Sequence, residues 1–297
     1  MRRLIILIIG SILACNVIFP VSAEEFGQDR NFYYTCFVRK NLTEEANQLN
    51  KFLLDYFEVV KNHDIKKAKD LYAGKYINGD GFNKEKMIDI LEDSWKLSPD
   101  LDYAVEIQDI KFDNSFATVE INENLTGTTK EVSEITGDAG LIESSSRILL
   151  YLQKYGKGWK IVSDMTLYEE TSIKYGEAKN LDINIYAPDQ VLSDKNYAVS
   201  LETEIPGDMF AIGSIVNESL TYPRKRPEEI FRQIPLDIRH LERVVRANSN
   251  SLNELAVASV SYCRVKKDFY TTPKIDFAGT AILIKRVNVS NIMTAKK

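Results

Sequence analysis

The sequence predicts an α+β protein in which three helices pack in a curved antiparallel sheet, followed by an all-β sandwich. Apolar residues recur at helical spacing in three segments between residues 43 and 98, and the pattern then changes to the alternation of half-buried strands. From residue 181 onward, strand-like runs separated by turns recur without another helical period. Helices that precede antiparallel strands in the chain are typical of α+β domains.

The first helix is predicted to begin near Thr43, because Leu49, Leu53, Tyr56 and Val60 fall on one helical face. Two further helices follow, and each begins at a residue whose side-chain oxygen can accept a hydrogen bond from the first free backbone amides. Their predicted capping residues are Asp64, after the Asn62-His63-Asp64 break, and Asn83, with Pro99 just past the end of the last helix.

Two hairpins are predicted after the helices. Residues 103–112 and 116–125 alternate on either side of an Asp113-Asn114 turn, and residues 147–155 and 159–168 flank a Gly-Lys-Gly turn. The interval 126–143 is polar, and we expect it to be a loop.

The order of these elements, the Asn62-His63-Asp64 break and the run GKGWKIVSD at residues 156–164 resemble the nuclear transport factor 2-like, or SnoaL-like, cone fold. The resemblance covers about residues 43–168. The superfamily includes isomerases, dehydratases and cyclases as well as non-catalytic binding and assembly domains, so the resemblance implies a fold rather than one activity.

Enzymes of that superfamily place a carboxylate base beside a tyrosine, a histidine or a second carboxyl group inside an apolar pocket. No motif in this chain matches such a pair. His63 lies between two helices and His240 lies outside this region, which disfavours a histidine-dependent dehydratase and a metal cluster.

Six residues are candidates to line a pocket of this kind. The aromatic ones lie on inward helical faces and the charged ones on strands: Tyr56, Tyr72, Trp95, Glu106, Glu120 and Arg147. The alternative interpretation is that the aromatic residues fill the core and that the strand carboxylates face water.

The second half is predicted to be a β-sandwich. Its candidate strands are residues 181–186, 197–204, 210–216, 230–234, 241–247, 255–265 and 280–289. The Ala187-Pro188-Asp189-Gln190-Val191 turn, followed by an alternating run at residues 197–201, resembles the start of an immunoglobulin-like domain, although the Cys-Trp-Cys core of antibody domains is absent. Such sandwiches commonly serve as spacers or binding modules.

The first 23 residues have the features of an export signal. Arg2 and Arg3 precede an apolar run, and Val21-Ser22-Ala23 supplies the small residues that signal peptidase requires. Ile12-Leu13-Ala14-Cys15 loosely resembles a lipobox, so an acylated Cys15 that attaches the protein to a membrane is the alternative. We therefore expect a periplasmic or secreted bacterial protein.

The predicted domains follow from these assignments. They are a signal peptide at 1–23, an N-terminal segment at 24–42, the cone-fold domain at 43–168, a linker at 169–180, the sandwich at 181–291 and a C-terminal tail at 292–297.

The charge of the chain disfavours nucleic acid as a partner. Removal of the leader leaves 36 of the 38 basic residues against 43 acidic ones, so the formal net charge changes from -5 to -7. The one dense basic cluster, Arg224-Lys225-Arg226, lies between two prolines and is expected to be an exposed loop that could contact a partner.

Cysteine usage allows one disulfide. If Cys15 leaves with the leader or is acylated, Cys36 and Cys263 form an even pair in a compartment that permits oxidation. Two separate buried thiols are the alternative, because the sequence does not give the distance between them.

Familiar catalytic signatures are absent from the sequence. There is no phosphate-binding loop, nucleophile elbow, His-Glu-x-x-His helix or Cys-x-x-Cys pair, and no cofactor is expected. The favoured function is non-catalytic binding or assembly in the cell envelope, through a small apolar ligand, an envelope protein or a homodimer formed by the sheet. The alternative is an isomerase or hydrolyase that acts on a small hydrophobic compound.

Overall fold

The computed structural model describes residues 44–113, 115–223, 228–266 and 274–291. Three helices come first, α1 (Glu44–Lys61), α2 (Ile65–Leu71) and α3 (Lys84–Leu97). Both predicted caps are confirmed, since the side chains of Asp64 and Asn83 accept hydrogen bonds from backbone amides in the first turns of α2 and α3.

Four long antiparallel strands follow the helices: β1 (Asp102–Asp113), β2 (Phe116–Val132), β3 (Ala139–Tyr155) and β4 (Gly158–Gly176). They pair in chain order, β1 with β2, β2 with β3 and β3 with β4. The expected loop at 126–143 is mostly strand, because β2 and β3 continue their pairing through polar residues up to the turn at residues 133–138. One face of this sheet and the three helices share a hydrophobic core. The predicted α+β class is confirmed.

The predicted linker at 169–180 is not a connector. Residues 169–176 are the last part of β4, and a short 3-10 helix, Glu177–Asn180, completes the interval. Thr171, Ile173 and Tyr175 point inward in strict alternation between less buried residues. The sequence contains this period-2 pattern, but some of the inward positions are polar, so the segment does not have the apolar alternation that predicts a strand.

The second half contains eight strands within the described residues. They are β5 (Ile183–Tyr186), β6 (Gln190–Leu192), β7 (Asn196–Thr203), β8 (Phe210–Ser219), β9 (Arg232–Gln233), β10 (His240–Arg246), β11 (Glu254–Lys266) and β12 (Lys274–Ser290). All seven predicted strands are present with shifted ends, and β6 was not predicted. The second half is thus mostly β, whereas its immunoglobulin-like character remains a prediction.

A single sheet runs through both halves of the chain. Its order is β1-β2-β3-β4-β12-β11-β8-β9, because β12 pairs antiparallel with the C-terminal part of β4. A second sheet, β10-β7-β5, packs its buried residues with those of β8, β11 and β12 in a separate core. The second half therefore shares a sheet with the preceding α+β region.

A third, smaller hydrophobic cluster joins the two halves. Phe82, from the segment between α2 and α3, packs against apolar residues of β8, β11 and β12. On α3, the Asp93 carboxylate accepts a hydrogen bond from the Tyr222 hydroxyl, and the Lys86 ammonium lies 5.0 Å from the centre of the same ring. These contacts hold the helices against the second half.

None of the helices in the described ranges combines the length and the apolar character that a membrane crossing requires.

Candidate functional site

The three aromatic candidates lie together in the interior of the first half. Tyr56 on α1, Tyr72 just after α2 and Trp95 on α3 are 1%, 3% and 6% exposed and belong to one core. Helical spacing turns Tyr56 and Trp95 toward the sheet, as the sequence predicts. Tyr72 follows the last residue of α2 with an extended backbone and forms a bridge with Ile161 of β4.

The three charged candidates lie on the opposite face of the sheet. Glu106 and Arg147 are exposed, and Glu120 is half-buried beside Arg147, with 3.9 Å between carboxylate and guanidinium. Val119 and Ile121 point inward, so strand alternation directs Glu120 outward. These residues therefore do not supply polar groups to the interior.

Two other carboxylates occupy the interior instead. Glu123 on β2 is 1% exposed and Asp164 on β4 is 5% exposed. Glu123 continues the inward series of Val119 and Ile121, so the alternation of β2 could have identified it. Asp164 had no such signal, because its orientation depends on an irregularity in the strand.

A β-bulge in β4 turns Asp164 inward. Leu152 of β3 pairs with Ile161, but the next residue of β3, Tyr151, pairs with Ser163. The extra residue shifts the phase of β4 by one, so the inward positions change from Ile161 to Asp164.

Asp164 is held by the segment between α2 and α3. The Tyr76 hydroxyl donates a hydrogen bond to its carboxylate, and the backbone amide of Gly79 donates to its carbonyl oxygen at 2.7 Å. Burial raises the pKa of Asp164 to about 6, while the hydrogen bond from Tyr76 opposes this shift. At neutral pH the side chain is thus a carboxylate close to its titration midpoint.

Two more phenols adjoin this pair. The Tyr72 and Tyr76 rings meet edge to face at 4.8 Å, and Tyr56 is buried in the same core. Burial, reinforced by the negative charges of Asp164 and Glu123, raises the pKa of Tyr56 and Tyr72. Both phenols therefore stay protonated and remain hydrogen-bond donors.

Glu123, the second buried carboxylate, also has hydroxyl neighbours. The Ser146 hydroxyl on β3 donates to its carboxylate at 2.9 Å. The nearby Tyr103 hydroxyl accepts a hydrogen bond from the Trp95 indole at 2.7 Å, and burial together with the charge of Glu123 raises the pKa of Tyr103. The interior thus contains two carboxylates, each beside hydroxyl groups.

His63, between α1 and α2, packs against Trp95 of α3. Their rings stack with centres 5.0 Å apart, and the imidazole Nε2 atom is buried without a hydrogen-bond partner. Burial lowers the pKa of His63, so its ring is neutral at pH 7. It contributes a flat aromatic surface rather than a positive charge.

Residues Glu123, Asp164, Tyr56, Tyr72 and Tyr76 are called the interior cluster below. Carboxylates accept hydrogen bonds and protons, whereas phenols donate hydrogen bonds to oxygen atoms. A carboxylate with a pKa near 6 in a water-poor site is also suited to proton transfer. The chemistry of the cluster therefore suits a molecule with hydrogen-bond donors, or proton transfer to or from such a molecule.

The other predicted sites are placed as follows. Cys263 on β11 is buried, and burial raises the pKa of its thiol. Its proposed partner Cys36, the lipobox Cys15 and the basic cluster Arg224-Lys225-Arg226 lie outside the described residues. In the described part of the chain, no three His, Cys, Asp or Glu side chains are grouped as metal ligands.

Comparisons with known proteins concern the fold. No protein-family model matches the chain, and no curated protein matches its sequence. A solved structure of a conserved protein from Planctomyces limnophilus is 13% identical, covering 41% of this chain and 93% of its own, with a TM-score of 0.35.

Two further solved structures are similar over a comparable share of the chain. An NTF2-like protein from Cytophaga hutchinsonii is 18% identical, covering 42% of this chain and 98% of its own, with a TM-score of 0.32. A protein of the NTF2-like superfamily from Salmonella enterica is 13% identical, covering 40% and 87%, with a TM-score of 0.33. NTF2-like proteins are thus structural neighbours of about two fifths of the chain.

Proposed function

We propose that the protein binds a small organic molecule in the interior of its first half, without converting it. The observation that carries the proposal is the interior cluster, in which two buried carboxylates lie among tyrosine hydroxyls. Carboxylates in a core cost stability, and their retention there is common at functional sites.

The interior cluster also refines the expected ligand. A wholly apolar molecule would leave the carboxylates of Glu123 and Asp164 without a new partner. A ligand with an apolar body and an amine or hydroxyl group would fit better, because it would satisfy a carboxylate and pack against the aromatic rings.

Binding can be tested with three probes of similar size, namely benzylamine, benzyl alcohol and toluene. We expect the amine and the alcohol to raise the melting temperature in proportion to the logarithm of their concentration, and toluene to have a smaller effect. Glu123→Gln should weaken binding of the amine by about tenfold or more, as expected when a charge-assisted hydrogen bond is lost.

Glu106→Gln is the matched control, because Glu106 is an exposed glutamate on the neighbouring strand β1. It should leave the affinity unchanged. Equal effects of all three probes, or equal effects of the two Gln substitutions, would argue against recognition by the interior cluster.

A second function, proton transfer by an isomerase or hydrolyase, is favoured by one specific observation. Asp164 combines a pKa of about 6 with a hydrogen bond from Tyr76. Its carboxylate could remove a proton next to a carbonyl group, while a neighbouring phenol donates a hydrogen bond to the oxyanion that forms.

Isomerisation of cyclohex-3-enone to the conjugated ketone, followed by ultraviolet absorbance, tests this second function. Catalysis should increase as the pH rises through about 6, because the base must be ionised. Asp164→Asn should reduce the rate by about a hundredfold or more. A rate equal to that of buffer would remove support for proton transfer on such ketones.

We propose further that the chain is exported to the bacterial envelope and that its second half is an immunoglobulin-like interaction module. Support comes from the leader and from the strand pattern of the second half. A homodimer formed through the sheet, or an envelope protein, is the proposed partner. Mass spectrometry of the mature N-terminus distinguishes a free Glu24 from an acylated Cys15, and light scattering measures the oligomeric state.

A further inference from the structure

A buried ion pair links the second half of the chain to the segment that holds Asp164. The Arg286 side chain on β12 is 2% exposed, and its guanidinium lies 2.5 Å from the Asp80 carboxylate. Asp80 belongs to the segment between α2 and α3, and its side chain is 8% exposed. The contact joins residues 206 positions apart.

Additional side chains complete this junction. Asp80 also accepts a hydrogen bond at 2.7 Å from the amide of Asn253, which precedes β11. Arg286 donates to Asn288 at 2.8 Å and lies 4.0 Å from the carboxylate of Glu169 on β4. The second half thus supplies three of the five side chains.

The same segment continues directly to Asp164. Gly79, next to Asp80, donates its backbone amide to the Asp164 carbonyl, and Tyr76 donates its hydroxyl to the Asp164 carboxylate. A Cβ atom at Gly79 would lie 3.2 Å from Met165, so the segment runs close against β4. A displacement of Asp80 would therefore be transmitted to both contacts of Asp164.

We infer that Asp80 and Arg286 are positioning residues for Asp164, and that the second half of the chain is in this way part of the interior site. The inference rests on the proposed function for the meaning of the site, but the contacts themselves do not depend on any ligand.

The charges of Asp80 and Arg286 also act on the pKa of Asp164. The negative charge of Asp80 raises the pKa of Asp164, and the positive charge of Arg286 lowers it. The other groups that face this region are the phenols Tyr56, Tyr72 and Tyr76, together with Glu123 on β2 and Glu169 beyond Arg286. Because Asp80 and Arg286 act in opposite directions, removing either charge should move the titration of Asp164.

The test is carbon-13 NMR titration of the aspartate carboxyl groups in the full chain, with the Asp164 signal assigned by its loss in Asp164→Asn. We expect Asp80→Asn to move the midpoint of Asp164 to lower pH and Arg286→Met to move it to higher pH. Each shift should be on the order of one pH unit, the size expected for a nearby charge in a protein interior.

Two further variants separate this role from general stability. Lys285→Gln removes a neighbouring, similarly buried charge that pairs with Glu170 and Asp189, and it should leave the midpoint unchanged. Arg286→Lys keeps the positive charge, so the Asp164 midpoint should stay close to that of the original protein, without most of the shift that Arg286→Met causes.

Shifts in the same direction for Asp80→Asn and Arg286→Met, or no shift for either, would overturn the inference. The titration is read without ligand, so this result is distinct from failure of the proposed function. That failure would appear as absent binding of the amine and alcohol probes, whatever the titration shows.

Discussion

Asp164 carries an energetic cost that follows from its position. Its pKa rises from the usual 3.8 to about 6 in the folded protein, mainly because burial disfavours the charged form. Between these pH values the native state binds more protons than the unfolded state. Stability therefore falls as the pH rises from about 4 to about 6, and this contribution is constant above that range.

Asp164→Asn should remove this penalty. We expect the variant to be more stable than the original protein at pH 7.5 by up to about 3 kcal/mol, since a pKa that differs by one between the folded and unfolded states corresponds to about 1.4 kcal/mol. The difference should shrink as the pH falls and be small at pH 4, because the original side chain is then protonated. Urea unfolding at several pH values measures it.

Asp113→Asn provides the comparison, because Asp113 is an exposed aspartate at the end of β1. Its stability difference should be small across the same pH range. An Asp164→Asn variant that is destabilised equally at every pH would mean that the pKa of Asp164 is not raised in the folded protein, and it would contradict the prediction.

At the scale of single elements, strand β4 connects the two parts of the molecule. Its N-terminal part carries Asp164 into the interior, and its C-terminal part pairs with β12. Gly176 and Gly279 lie directly opposite each other in that pairing. A Cβ atom at Gly279 would lie 2.5 Å from the backbone nitrogen of Ala178, so the crossing requires a residue without a side chain.

Gly279→Ala should therefore destabilise the protein by about 1–3 kcal/mol, the usual cost of forcing an extra carbon into a packed site. Chemical denaturation measures this change. Gly207→Ala is the matched control, because no heavy atom lies within 4 Å of its added Cβ. If both variants unfold at the same denaturant concentration, the close approach of β4 and β12 is not a determinant of stability.

At the scale of the whole molecule, the two halves are connected in three ways. They share the β4–β12 pairing, the Asp80–Arg286 ion pair and the cluster around Phe82. Because these contacts involve a sheet, a buried charge pair and apolar packing, separation of the halves would expose several kinds of unfavourable surface. We therefore expect the described structure to unfold as one cooperative unit.

Hydrogen exchange at increasing denaturant, read on peptides from β2–β3 and from β7–β11, should give one common midpoint. Phe82→Ala should lower both midpoints together, at a cost of about 2 kcal/mol, less than for a fully buried phenylalanine. Phe116→Ala is the control, because Phe116 is 53% exposed. Separate midpoints for the two regions would indicate independent domains.

Several features were predictable from local sequence. The side chains of Asp64 and Asn83 cap helices because their oxygens reach amides three residues away, and helical spacing places Tyr56 and Trp95 in the core. The pattern of alternating residues also predicts most of the strands of the second half. Each of these predictions depends on residues within a few positions of one another.

The candidate site was predictable only in part. The sequence predicts the aromatic members of the interior, but the polar residues that it indicates, Glu106, Glu120 and Arg147, lie on the outer face of the sheet. The polar members are Glu123 and Asp164. Glu123 follows the alternation of β2, whereas the orientation of Asp164 depends on a bulge that neither the composition nor the periodicity of the sequence predicts.

The sequence by itself determined the three helices, their caps and the inward aromatic face, because these depend on short-range spacing and hydrogen bonding. Tertiary structure decided which strands meet and which carboxylates face inward. Tyr76 and Asp164 are 88 residues apart, and Asp80 and Arg286 are 206 apart, so their contacts exist only after the chain has folded. One extra residue in a strand reverses the direction of the side chains that follow it up to the next irregularity, and the pairing with the partner strand determines where that residue is accommodated.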